Sequence, residues 1–157
     1  MAKTVSHICI LVWDIDEAIE KYKKILGVLS PELLAGAVKK QKRHAEGEYI
    51  TAFFGTPGDG CDIQLLQPPD KDSPLYRRLE KYGEGVHHIA FSTGRMEDSY
   101  HALLQEGVAV NDHIVEESSA ENEKDVRHYW VLPKYASGVL IEVIDDYKVV
   151  GGLLTSG

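Results

Sequence analysis

The feature that most constrains this chain is that it repeats itself. The stretch "HICILVWDIDEAIEKYKKILG", which begins at His7, is answered by "HIAFSTGRMEDSYHALLQEG", which begins at His88. Each opens with His-Ile, runs on as a short β-rich stretch, passes an acidic turn and enters an amphipathic segment. Ile15, Ala18, Ile19, Tyr22 and Leu26 recur at helical spacing in the first copy, and Tyr100, Leu103 and Leu104 do so in the second. Asp14 or Asp16 is placed to cap the first helix, and Gly27 and Gly107 are placed to close the two. The halves also end alike: "YITAFFGTPGDGCDIQLLQP" and "HYWVLPKYASGVLIEVID" both read as strand, turn, strand. Each half is therefore expected to be a strand, a helix and about three further strands. Alone it would leave one sheet face bare, whereas two can complete each other. The expected class is α+β, a single unit over 1–157 built from module one (about 5–70) and module two (about 84–147), and not an alternating parallel sheet.

Composition narrows the function. A net charge of −8 argues against nucleic acid or an anionic membrane as the main partner. No apolar run approaches the roughly 20 residues that span a bilayer. The opening "MAKTVSHICILVWD" lacks a basic region followed by a small-residue cleavage site, and two cysteines, Cys9 and Cys61, are too few for a disulfide framework. A reduced, cytoplasmic setting is the expectation.

Strand alternation then sorts the side chains. His7, Cys9 and Leu11 share one face of the first strand, leaving Ile8, Ile10 and Val12 as a bed for the helix. In the second copy His88, Ala90 and Ser92 share a face, so His88 corresponds to His7, with small neighbours that leave room beside it. His87 is expected on the helix side with Ile89 and Phe91, or frayed at the strand end. Each terminal hairpin adds one polar residue to an apolar strand: Gln64 in "DIQLLQ" and Glu142 in "GVLIEVID". A carboxylate there is costly unless it is paired or bound to a metal. Taken singly, each of the four has an ordinary structural reading. Together they form a His, Gln, His, Glu set at repeat-equivalent positions that suits one divalent ion such as Co, Mn, Ni, Zn or Fe.

The stretches "SHICILVWDIDEAIEKYKKILG", "DIQLLQP", "GEGVHHIAFST" and "PKYASGVLIEVID" resemble the vicinal oxygen chelate superfamily, which contains glyoxalase I, methylmalonyl-CoA epimerase and extradiol dioxygenases. The resemblance implies two paired βαβββ modules forming an eight-stranded cup around one metal, held by His7, Gln64, His88 and Glu142. The ligand set is most similar to that of the epimerases, since glyoxalase I typically has Glu where Gln64 stands. That implies a metal-dependent epimerase or isomerase, acting next to a carbonyl through an enolate, with a small 2-substituted acyl compound, such as a CoA thioester, as substrate and a homodimer as the assembly. Glu142 is the implied catalytic carboxylate, and Glu48 in "EGEYITAFF" the approximate match to the family's acid/base glutamate. Two departures bear on the substrate mouth: "EESSAENEKDVRHYW" replaces a glycine-rich stretch, and "VLPK" lacks the usual His before "PK".

Three rival readings stay open: a glyoxalase I-like lyase, a small Fe(II) dioxygenase using His7, His88 and Glu142, and a metabolite- or antibiotic-binding protein of the same fold. The basic run "KKQKRH" is read as a solvated loop or as steering for an anionic substrate. Trp13 and Trp130 are expected in the core, Cys9 as an inert buried thiol, "EESSAENEKD" as a mobile, solvated loop, and His113 and His128 are given no role.

Overall fold

The structure is a computed structural model that describes residues 4–56, 58, 60–120 and 126–157. The first half is β1 (Val5–Leu11), α1 (Ile15–Leu29), β2 (Gln41–His44), β3 (Glu48–Phe54) and β4 (Asp62–Gln67). After a linking helix α2 (Pro74–Tyr82), the second half repeats the order as β5 (Gly85–Thr93), α3 (Met96–Gln105), β6 (Val115–Ser119), β7 (Val126–Val131) and β8 (Ile141–Asp145). The eight strands close into one barrel in the order β1-β4-β3-β2-β6-β7-β8-β5. Two antiparallel seams join the halves, β1 to β5 and β2 to β6. The expected α+β cup of two βαβββ modules is the fold observed.

Local chemistry explains the helices. Asp14 caps α1, its Oδ1 accepting from Glu17 N at 3.0 Å, while Asp16 lies in the first turn beside the helix dipole. Ile15, Ala18, Ile19 and Leu26 bury one stripe of α1 against Ala52, Phe54 and Leu65 on the outer face of β3 and β4. Gly27, expected to end this helix, lies inside it, because Val28 and Leu29 continue the turn and Ser30 accepts the cap position. Gly107 does follow α3, with a φ of 78° that favours glycine. α3 packs Met96, Tyr100 and Leu103 over Tyr129, Val131 and Val143 of β7 and β8. It does not cover β5, so Phe91, expected beneath the helix, stays 36% exposed.

Two elements went unread in the sequence. α2 starts with Ser73, whose Oγ accepts from Leu75 N at 3.2 Å, followed by Pro74 at the first helical position. Its Leu79 and Leu75 pack against Cys9, Leu11 and Leu66 inside one end of the barrel. A C-terminal hairpin, β9 (Tyr147–Val150) and β10 (Leu153–Ser156), turns at Gly151 and Gly152, both at positive φ. Its Tyr147 and Leu154 pack with Phe53, Ala90, Val126 and Ile144, filling the other end. Between these two apolar plugs lies a polar belt.

The segment expected to be a loop is partly strand: Val115 and Glu117 of β6 are buried, and residues 121–125 of that segment lie outside the described residues. Of the basic run, Gln41 to His44 form β2, and Arg43 turns inward to near-complete burial. Trp13 is 44% exposed and stacks edge-on to Tyr76, so it is not a core residue.

Candidate metal centre

Register brings the four donor residues into two neighbouring rows of the barrel wall. In one row Asp62, His7, Ala90, Glu142 and Trp130 follow one another across β4, β1, β5, β8 and β7. In the other, Gln64, Cys9 and His88 lie side by side on β4, β1 and β5. The duplication is visible here at the level of single side chains. A small residue, Ala90 or Cys9, separates the histidine of one half from the oxygen donor of the other, and its size leaves the space into which the longer chains lean.

The donors converge. His7 Nε2 and His88 Nε2 stand 3.2 Å apart, and Glu142 Oε1 is 3.4 Å from the former and 3.8 Å from the latter. Ligand atoms bound at about 2.1 Å to one ion lie about 3.0 Å apart in an octahedron and about 3.4 Å apart in a tetrahedron. All four residues are nearly fully buried and line one cavity of about 390 Å³. Gln64 Nε2 donates to Thr51 Oγ1 at 3.0 Å, which fixes the amide, and its Oε1 is buried with no hydrogen-bond partner. A buried carbonyl oxygen left unsatisfied is costly, and a cation would satisfy it. Two imidazole nitrogens facing a carboxylate oxygen make the same demand. The residues fit a divalent metal.

The outer nitrogens set the tautomers. His7 Nδ1 lies 3.0 Å from the Tyr147 hydroxyl, which lies 2.8 Å from Asp62 Oδ2 and 3.1 Å from Ser6 O. With His7 Nε2 turned to the cluster, Nδ1–H donates to the tyrosine oxygen and the phenol donates to Asp62, an orienting chain of the kind metal-binding histidines need. His88 Nδ1 meets His87 Nδ1 at 2.8 Å. Burial, together with the nearby charges of His7, His87, His128 and Arg78, holds the His88 imidazole well below its ordinary pKa, which favours the neutral form.

His87 is not where alternation alone would put it. Cys9 pairs with His88 but Ile10 pairs with Val86, so His87 is the extra residue of a β-bulge. The bulge turns its ring from the helix side into the cavity. Burial and then Arg78 lower its pKa to about 4, making it a neutral partner for His88. Trp130, expected in the core, lines the cavity with its ring edge-on to His88 at 5.0 Å.

Glu48, the other expected carboxylate, stands at the cavity rim on β3, exposed, with Lys42 Nζ 3.5 Å from its Oε2. It is not part of the convergent cluster. A second buried group adjoins it instead. Glu117 Oε2 forms an ion pair with His128 Nδ1 at 2.7 Å, while Glu117 Oε1 accepts from Tyr49 Oη and lies 3.7 Å from Arg43 Nε. Burial pushes the Glu117 carboxyl up, but His128, Arg43 and Tyr49 outweigh it and hold the carboxyl at about 2. Glu117, His128 and Glu142 each offer a ligand-type atom within 4.8 Å of the others. Neither Glu117 nor His128 was picked out in the sequence, although the inward alternation of His128 and Trp130 along "VRHYWV" was a signal for one of them.

Comparison with known proteins agrees with this architecture. A family model for the glyoxalase/bleomycin resistance protein/dioxygenase superfamily matches residues 6–126. The chain is 29% identical over 141 residues to YqjC of Bacillus subtilis (strain 168), covering 90% of this chain and 91% of that protein. A crystal structure of methylmalonyl-CoA epimerase from Mycobacterium tuberculosis superposes with a TM-score of 0.69 at 27% identity, covering 92% of this chain and 89% of that one. A variant of the Streptomyces coelicolor epimerase in complex with 2-nitronate-propionyl-CoA gives 0.67 at 27% identity, covering 93% and 99%. Repeat, barrel and family match together establish that this chain belongs to the glyoxalase/bleomycin resistance protein/dioxygenase superfamily.

Proposed function

We propose that this protein is a metal-dependent epimerase or isomerase that moves a proton on a carbon next to a carbonyl, with a small 2-substituted acyl thioester as substrate. The observation that carries this reading is the buried meeting of two imidazole nitrogens, one carboxylate and one unsatisfied amide oxygen at repeat-equivalent positions of one cavity. The similarity to methylmalonyl-CoA epimerases supports the substrate class.

His7, Gln64, His88 and Glu142 would hold the ion, Co, Mn, Ni, Zn or Fe. When bound, the cation supplies positive charge opposite the oxyanion that forms as the neighbouring carbon loses its proton. The chain does the rest. Trp130, Phe53 and Leu66 give the cavity an apolar wall, and Tyr147 and His87 hold the two histidine rings in register. Of the two proposed catalytic carboxylates, Glu142 acts from its place on the ion, and Glu48 handles the proton, its rim position letting it exchange that proton with solvent. A homodimer in the cytoplasm, organised as one unit over 1–157, completes the proposal.

The test is hydrogen exchange. Incubation of the purified protein with Co²⁺ or Mn²⁺ and methylmalonyl-CoA in deuterated water should place deuterium at carbon 2. No exchange into this or other 2-substituted acyl thioesters would remove the reading. A second reading has one observation in its favour: His7, His88 and Glu142 also form the two-histidine, one-carboxylate set of Fe(II) oxygenases. Oxygen uptake by the iron-loaded protein, without hydrogen exchange, would select it.

A further inference from the structure

Inverting a carbon centre by proton transfer needs a proton to leave one face and another to arrive at the opposite face. A single acid/base on one side returns the proton to where it came from. Glu48 belongs to β3, and the β2–β6 seam separates β3 from β7. On β7, across that seam, His128 lines the same cavity. Its Nδ1 is committed to Glu117 at 2.7 Å, which leaves Nε2 as the nitrogen available to a ligand. Glu117 is itself held on its other oxygen by half-buried Tyr49 and buried Arg43. Trp130 packs edge-on to both His128 and His88, at 5.2 and 5.0 Å, tying the pair to the donor cluster. An imidazole oriented by a buried carboxylate, one carboxylate away from where substrate oxygens would bind, is the arrangement that general acid–base chemistry uses.

We propose that His128, oriented by Glu117, is the second proton-transfer residue, working on the substrate face opposite to Glu48. The inference rests on the epimerase reading above. In one direction the C–H bond breaks, its proton passes to the Glu48 carboxylate and the electron pair moves to the carbonyl oxygen. The pair then returns to carbon as His128 Nε2–H gives its proton to the other face. The reverse direction exchanges the roles, and solvent resets both groups, so nothing is oxidised or reduced. Glu117 does not touch the substrate. It is a positioning residue that fixes the ring and balances the imidazolium.

The alternative is that Arg43, Glu117 and His128 only brace the β2–β6 seam. His128→Gln separates the two, tested with the (2R)- and (2S)-methylmalonyl-CoA epimers supplied singly in deuterated water. Loss of one of two bases abolishes inversion by about 100-fold or more. It leaves one epimer exchanging its own hydrogen without inverting and the other inert, with Co²⁺ affinity near wild type. Equal slowing of both epimers, or unchanged inversion, would overturn the inference while leaving the epimerase reading intact. Absence of exchange in the wild type would remove both. Should His128→Gln not fold, Glu117→Gln keeps the imidazole and the side-chain shape. It is expected to lower kcat at least 10-fold with KM little changed, and an unaltered kcat would count against the dyad.

Discussion

His7, the third residue of β1, and His88, the fourth of β5, are equivalent residues of the two halves and bring their Nε2 atoms to 3.2 Å. Their support differs: His7 leans on Tyr147 and Asp62, and His88 on its neighbour His87. Replacing either histidine with Ala should abolish Co²⁺ or Mn²⁺ binding measured by calorimetry. His87→Ala should keep binding, weakened by about 10-fold, because it removes only an orienting partner. Tight binding by His88→Ala would mean the donors do not share an ion.

Tyr147→Phe removes the hydroxyl between His7 and Asp62 without changing the packing of the hairpin. Metal affinity is expected to fall by about 10–100-fold. The apo protein should lose about 1–3 kcal/mol in denaturant unfolding, since Asp62 keeps only part of its buried hydrogen bonding. An unchanged Co²⁺ absorption spectrum and affinity would show that the tyrosine does not orient His7.

Ala90 is fully buried between His7 and Glu142 in the sheet register. Ala90→Leu would push into the space where the donors meet. Destabilisation of about 1–3 kcal/mol and loss of metal binding are expected. Retained stoichiometric metal, read by elemental analysis, would show that this space is not needed.

Glu117 is held at about 2, below its ordinary 4.5, so its contribution to stability is complete above pH 4.5 and is lost as pH falls through about 2. His128 is displaced the other way: burial opposes its charge, but Glu117 outweighs burial and raises it. Its contribution is complete below its ordinary 6.5 and is lost as pH rises past the raised value. Between pH 4.5 and 2 the unfolding midpoint of the wild type should fall more steeply than that of Glu117→Gln. Parallel curves would show that the ion pair carries no net stability.

Leu79 of α2 is almost fully buried against Cys9, Leu11 and Leu66. Leu79→Ala should cost about 2–5 kcal/mol and lower cooperativity at that end of the barrel. A loss below about 1 kcal/mol would mean that α2 is peripheral to the core.

What recurs along the chain is legible from the chain alone. Two His-Ile strands, two amphipathic helices and two polar interruptions of apolar strands are local patterns, and period and composition suffice to read them. Hence the paired modules and the candidate set His7, Gln64, His88 and Glu142 are legible along the chain alone. Tertiary structure alone decided what depends on neighbours distant in the chain. The bulge at His87 arises from pairing with β1, so alternation along β5 could not reveal that both adjacent histidines face the cavity. Glu117 looked like one acid in a polar run, and only closure of the β2–β6 seam buries it against Arg43 and His128. Tyr147 lies beyond the repeat and meets His7 because the hairpin folds back into the barrel's end. Periodicity reports the face a residue takes on its own element, whereas burial, partners and charge are set by the elements that close over it.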